Sequence, residues 1–120
     1  MKKIILLLTA ILIYTVSSAS TSIPAGNISG TWTLGGSPYL IQGDVTVPSG
    51  SSLTISPGVL VQFQGLYKFN IQGRLLAIGT ITDSITFTSD DTTNGWRGIR
   101  FDNTSPTNDT SMIFFCNIQT

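Results

Sequence analysis

Residues 43–63 read Gly43-Asp44-Val45-Thr46-Val47-Pro48-Ser49-Gly50-Ser51-Ser52-Leu53-Thr54-Ile55-Ser56-Pro57-Gly58-Val59-Leu60-Val61-Gln62-Phe63. Three short apolar runs are separated by two turn triplets, Pro48-Ser49-Gly50 and Ser56-Pro57-Gly58. Within each run an apolar residue alternates with a small polar one: Val45-Thr46-Val47, Leu53-Thr54-Ile55, Val61-Gln62-Phe63. Alternation at a period of two turns one face inward and leaves the other in water. The triplets break the runs because Pro fixes φ and offers no ladder donor, while Gly accepts positive φ.

Outward from this stretch the same punctuation continues. Apolar runs lie at 39–42, 67–71, 75–78, 85–88, 99–101 and 112–118, with Gly43-Asp44, Gln64-Gly65, Gln72-Gly73 and Gly79-Thr80 between them. No stretch after residue 20 holds a helical apolar period, so the class is all-β. Strands of three residues are short for a sandwich, whose strands average about five or six residues. Short strands at close, regular intervals point to a solenoid, and a solenoid should show a repeat. Tyr39-Leu40-Ile41-Gln42-Gly43-Asp44-Val45 resembles Phe69-Asn70-Ile71-Gln72-Gly73-Arg74-Leu75, and Ser52-Leu53-Thr54-Ile55-Ser56 resembles Ser84-Ile85-Thr86-Phe87-Thr88. A shorter period also emerges: Val45 to Phe69 is 24 residues, Leu53 to Leu75 is 22, and Val61 to Ile85 is 24. Three strands per turn of that length predict a right-handed parallel β-helix with coils stacked at about 4.8 Å. The reading gives an N-terminal cap region at 20–40, with Trp32 as its large anchor, and about three coils over 41–120.

The first nineteen residues form an address. Met1-Lys2-Lys3 is a basic start, residues 4–16 are almost uninterruptedly apolar, and Ser17-Ser18-Ala19 places small residues before a cut at Ser20. That is the layout of a secretory signal peptide at 1–19, and the apolar run is short of the ~20 residues that span a bilayer. The expected location is therefore secreted, extracellular or at the cell surface, with membrane contact only during export. Six Lys and Arg balance six acidic residues, all of them Asp. This excludes an electrostatic nucleic-acid binder, which needs a clustered basic excess. With no His, imidazole bases, Ser-His-Asp triads and His-ligated metals are excluded within this chain, and a single Cys excludes an internal disulfide.

The stretch 43–63, followed by Ile71-Gln72-Gly73-Arg74-Leu75-Leu76-Ala77-Ile78-Gly79-Thr80, Ile85-Thr86-Phe87-Thr88-Ser89-Asp90 and Trp96-Arg97-Gly98-Ile99-Arg100-Phe101, resembles the opening coils of right-handed parallel β-helix proteins exported by bacteria. These belong to the pectin-lyase-like fold group, and the resemblance covers about residues 30–120. It implies the fold well and the activity poorly, since that fold carries polysaccharide lyases and hydrolases as well as large adhesive or structural surface proteins.

Candidate chemistry is sparse. Asp90-Asp91 forms the one local acidic cluster, and its spacing fails as an EF-hand loop because the twelfth position is Phe101. A solvated loop is the expectation there. Alternation over 96–101 puts Trp96, Gly98 and Arg100 on one face and Arg97, Ile99 and Phe101 on the other, so one arginine projects outward as a surface charge. Trp32, Tyr39, Tyr67 and Trp96 are expected as core or cap plugs rather than sugar-stacking platforms. Cys116, beside Ile113-Phe114-Phe115, reads as a small residue buried in a strand. The sequons at Asn27, Asn103 and Asn108 matter only in a eukaryotic secretory route. No catalytic, cofactor-binding or metal-binding residue is assigned, and no cofactor. The expected function is a secreted or cell-surface non-catalytic β-helix scaffold that adheres or contacts a polysaccharide or other cell-surface glycan. The alternative is the N-terminal part of a polysaccharide lyase or glycoside hydrolase with its catalytic coils beyond residue 120. Because no polar cap follows the apolar run at 112–118, the chain is also expected to be the N-terminal segment of a longer solenoid, or to self-associate through the edge around 112–116.

Overall fold

A computed structural model describes residues 20–102 and 110–119. The signal-peptide reading and the sequons at Asn103 and Asn108 lie outside the described residues. Among the described residues thirteen strands follow one another: β1 Thr21–Ile23, β2 Gly26–Asn27, β3 Gly30–Trp32, β4 Tyr39–Ile41, β5 Val45–Val47, β6 Ser52–Ile55, β7 Leu60–Phe63, β8 Phe69–Ile71, β9 Arg74–Ile78, β10 Ile85–Ser89, β11 Ile99–Phe101, β12 Met112–Phe114 and β13 Cys116–Ile118. Among the described residues the one helical element is a single 3-10 turn, Leu34–Gly36.

Every strand pairs in parallel with the strand three places along the chain. Sheet A runs β1-β4-β7-β10-β13, sheet B runs β2-β5-β8-β11, and sheet C runs β3-β6-β9-β12. The chain thus visits A, B and C in turn and returns to A one level higher, an all-β arrangement of three stacked parallel sheets consistent with a β-helix-like solenoid. Val45 stands against Phe69 and Leu53 against Leu75, as the spacing predicts.

Three expectations change. The third spacing shifts by two, because Val61 stands against Phe87 rather than Ile85; the turn at 79–84 absorbs the extra residues, with the Thr80 hydroxyl accepting from the Asp83 amide at 3.0 Å. The run 112–118 is not one strand. Phe115, at φ 51°, turns the chain in a single residue from sheet C into sheet A, splitting the run into β12 and β13. The stack is also one coil taller than about three, since β1, β2 and β3 pair onto β4, β5 and β6. These first strands are two or three residues long and rich in Gly and Thr, which hides them from an apolar pattern.

The Ile-Gln-Gly repeat has a different cause from the coil period. Gln42-Gly43 turns from sheet A into sheet B, whereas Gln72-Gly73 turns from B into C. Their shared constraint is close approach: a side chain on Gly43 would strike Ala25 one coil below, and one on Gly73 would strike the carbonyls of Pro48 and Ser51. Both corners admit only glycine without rearrangement.

Inward residues stack in columns along the axis. Val45 and Phe69 carry Ile99, Val47 and Ile71 carry Phe101, and Trp32, Ile55 and Ala77 carry Ile113. Aromatic rings thread this core. Trp32 stacks on Tyr39 with centroids 4.8 Å apart, Phe63 stacks on Trp96 at 4.2 Å, and Phe69 lies tilted between Phe63 and Phe87. Trp32, Tyr39 and Trp96 are buried and Tyr67 packs half-buried against them, so all four serve the core. The middle coils are sealed, while Phe101 and Ile118 at the last level stay half-exposed. Phe63→Ala should cost about 3–5 kcal/mol, since it empties a fully buried site shared with two rings. Thr54→Ala, on the outer face, should stay within about 0.5 kcal/mol. Chemical denaturation of both variants beside the parent checks the contrast.

Candidate functional site on the outer faces

With the interior filled, any chemistry must come from the three outer faces and the turns. Sheet A is the widest, with five strands. Its outward residues stack in register, with a leucine beneath the amides and hydroxyls: Leu40, Gln62 and Thr88 follow one another up the stack, and Leu60 lies under Thr86. One strand end further along stand Gln42 and Gln64, where the Gln42 Nε2 donates to the Gln64 Oε1 at 3.2 Å. Higher on the same face the Thr88 hydroxyl donates to the Gln119 Oε1 at 3.1 Å. These bonds hold neighbouring amides in step and leave their other donors and acceptors facing water.

Sheet B presents Asn27, Thr46, Asn70 and Arg100 as its outward column. Lys68 lies one level above Asp44, whose Oδ1 accepts from the Lys68 backbone amide at 2.8 Å. Arg100 projects outward as alternation predicts. Trp96 does not share its side: the positive φ of Gly98 (83°) breaks the alternation, and the indole is buried with its N–H donating to the Gln119 carbonyl. Sheet C begins with Thr31 and Thr54 and ends with Leu76 and Met112.

The acidic pair sits in a turn that uses its own carboxylate. Asp91 Oδ1 accepts from the Thr93 amide at 3.0 Å and the Asn94 amide at 3.2 Å, and Oδ2 accepts from the Asn94 side chain at 2.7 Å. Beneath it the buried Ser89 Oγ accepts from the Asp91 amide and reaches the carbonyls of Asp91 and Gly95, each at 3.1 Å. The Asn94 side-chain bond, then the two backbone bonds, hold the Asp91 carboxyl below its ordinary value. The arrangement closes a loop, and among the described residues no three His, Cys, Asp or Glu gather where a metal ion could be held. Cys116 is half-buried in β13, its thiol donating toward the Ala77 and Phe114 carbonyls, each at 3.3 Å. Burial pushes its pKa up.

One similarity accompanies this geometry. The chain is 36% identical over 85 residues to Protein bark beetle of Drosophila melanogaster, a match covering 69% of this chain and 3% of that protein. No protein-family model and no solved structure matches. The similarity therefore relates this coil stack to a small part of a far longer chain.

Alternation along the runs reveals which residues face out, including Thr46, Thr54, Gln62 and Thr86. It does not reveal that Gln42 and Gln64 meet, because that needs the coil register. Since the folded Asp91 pKa is depressed, the turn's contribution is present above the unfolded value and is lost as pH falls through the folded one. Asp91→Ala should accordingly speed amide exchange at Thr93 and Asn94 at neutral pH, leave β10 protected, and make the turn insensitive to acid. Hydrogen-exchange NMR reads all three.

Proposed function

We propose that this chain is a secreted or cell-surface, non-catalytic segment of a right-handed parallel β-helix of the pectin-lyase-like kind, and that it contacts glycans through the outer face of sheet A. The observation that carries the reading is the pairing of Gln62 with Thr88 and of Gln42 with Gln64 on the outer face of the widest sheet, with Thr86 beside them. Neutral amides and hydroxyls repeated at about 4.8 Å suit a linear chain of sugar hydroxyls, which need many weak donors and acceptors rather than charge. Right-handedness is supported by the twist preference of parallel crossovers. The scaffold reading is supported by an interior filled to the middle coils and by an acidic turn whose carboxylate is already engaged.

The test is retention of the chain on a panel of neutral and acidic polysaccharides, together with an assay for reducing ends and unsaturated products. Reversible retention without product is expected, and Gln62→Ala combined with Gln64→Ala should weaken it by about tenfold, in line with the loss of two or three hydrogen bonds. Turnover would contradict the scaffold reading, and no retention on any glycan would contradict the glycan reading.

A further inference from the structure

The turn between β10 and β11 contains the chain's one Asn-Gly pair, Asn94-Gly95. That dipeptide is the most reactive setting for an asparagine side chain, because Gly has no Cβ to keep its nitrogen from the neighbouring side-chain carbonyl. The three other asparagines of the described residues, Asn27, Asn70 and Asn117, are each followed by Ile, whose branched Cβ hinders that approach. The reaction needs no enzyme. The Gly95 nitrogen gives up its proton and attacks Cγ of Asn94, a C–N bond closes a five-membered succinimide, and the side-chain nitrogen leaves as ammonia. Water then opens the ring at either carbonyl, giving aspartate or isoaspartate at position 94 with no change of oxidation state.

Asn94 lies open to solvent, while Gly95 is buried. One residue holds every group the reaction uses. The Gly95 N–H donates to the Asp91 carbonyl at 2.8 Å. The Asn94 side-chain nitrogen, the leaving group, donates to Asp91 Oδ2 at 2.7 Å, and the Asn94 N–H donates to Asp91 Oδ1 at 3.2 Å. From beneath, the buried Ser89 donates its hydroxyl to the Gly95 carbonyl at 3.1 Å. Ring closure requires the nitrogen to lose its proton and the side chain to swing onto it. Near-attack geometry of this kind governs intramolecular steps over several powers of ten. Both movements break bonds to Asp91.

We infer that Asn94-Gly95 is a site of spontaneous deamidation, with water as the co-reactant, and that Asp91 is the positioning residue that holds it closed in the folded chain. Conversion reverses the chemistry of the turn. The donor that meets Asp91 Oδ2 becomes a carboxylate oxygen, so two like charges face each other. The isoaspartate product also lengthens the main chain by one carbon. Gly95 leads directly into Trp96, which stacks on Phe63 at 4.2 Å and donates its N–H to the Gln119 carbonyl, so the change reaches the plug at the top of the stack. An opening of the turn thus becomes a one-way covalent mark. The inference does not depend on the glycan reading, since the site lies in a turn and not on the outer face of sheet A.

Peptide mass spectrometry of the full chain over a time course at neutral pH tests the inference by following amide-to-acid conversion at each asparagine. In the folded parent, Asn94 should convert at least about tenfold more slowly than in the same chain unfolded by denaturant, because leaving the turn breaks hydrogen bonds to a charged group. Asp91→Ala should speed conversion of Asn94 in the folded chain at least about tenfold and leave Asn117 at its parent rate. Asp91→Asn keeps an acceptor for the Thr93 and Asn94 amides but gives up the one for the Asn94 side chain. Conversion should again be faster than in the parent, although hydrogen exchange shows the Thr93 amide still protected. Asn94→Asp, which is the aspartate product, should speed exchange at the Gly95 amide and leave β5 protected. The comparison of folded with unfolded parent stands even where a variant fails to fold. An unfolded chain that converts no faster at Asn94 than at Asn117 overturns the inference. So does a folded parent that converts as fast as the unfolded one, or a folded Asp91→Ala chain no faster than the parent.

Discussion

A backbone ladder that skips two strands governs this chain. Each strand bonds to the strand three places on, never to the next in sequence, so each inward side chain rests on the inward side chain one coil below. Val45, Phe69 and Ile99 are one such column. No strand could bury its face alone, and none has a hairpin neighbour to help it. The apolar interior is therefore a property of the stack rather than of any coil. Parallel neighbours also keep equivalent positions in line, which explains both the aromatic ladder inside and the amide ladder outside.

Where the ladder needs help, side chains supply it. The Leu60 amide finds the Ser37 hydroxyl at 2.9 Å, the Lys68 amide finds Asp44, and the Leu75 amide finds the Ser111 hydroxyl at 2.9 Å. Each sits where a strand begins and its partner strand has not yet started. Leaving a buried amide unpaired costs about 1–3 kcal/mol, so the part-buried bonds at Leu60 and Leu75 matter more than the exposed one at Lys68. They also explain why a chain so poor in charge is rich in Ser, Thr and Asp at its corners.

Much of the fold was legible in the residues. The alternation in Val45-Thr46-Val47 and Leu53-Thr54-Ile55 located strands and faces, and the spacing of Val45 from Phe69 anticipated an observed pair. Three features were hidden for physical reasons. Strands β1 to β3 carry Gly and Thr where later coils carry Val and Leu, so their pairing depends on the coil above rather than on their own pattern. Ile85 was displaced because turn length, not strand content, sets the register there. The break at Phe115 had no signal, since a non-glycine residue at positive φ leaves no trace in a run of Ile, Phe and Cys. The outer-face residues were recognisable one strand at a time, whereas the meeting of Gln42 with Gln64 and the apolar turn of sheet C emerge only when the coils are stacked.

The central claim is the three-strand ladder itself, and interstrand nuclear Overhauser contacts in the folded chain test it most directly. The account predicts parallel-ladder contacts across Val45, Phe69 and Ile99, across Leu53 and Leu75, and across Val61 and Phe87. Antiparallel contacts between consecutive runs, such as Val47 with Leu53 across the Pro48-Ser49-Gly50 turn, would contradict it.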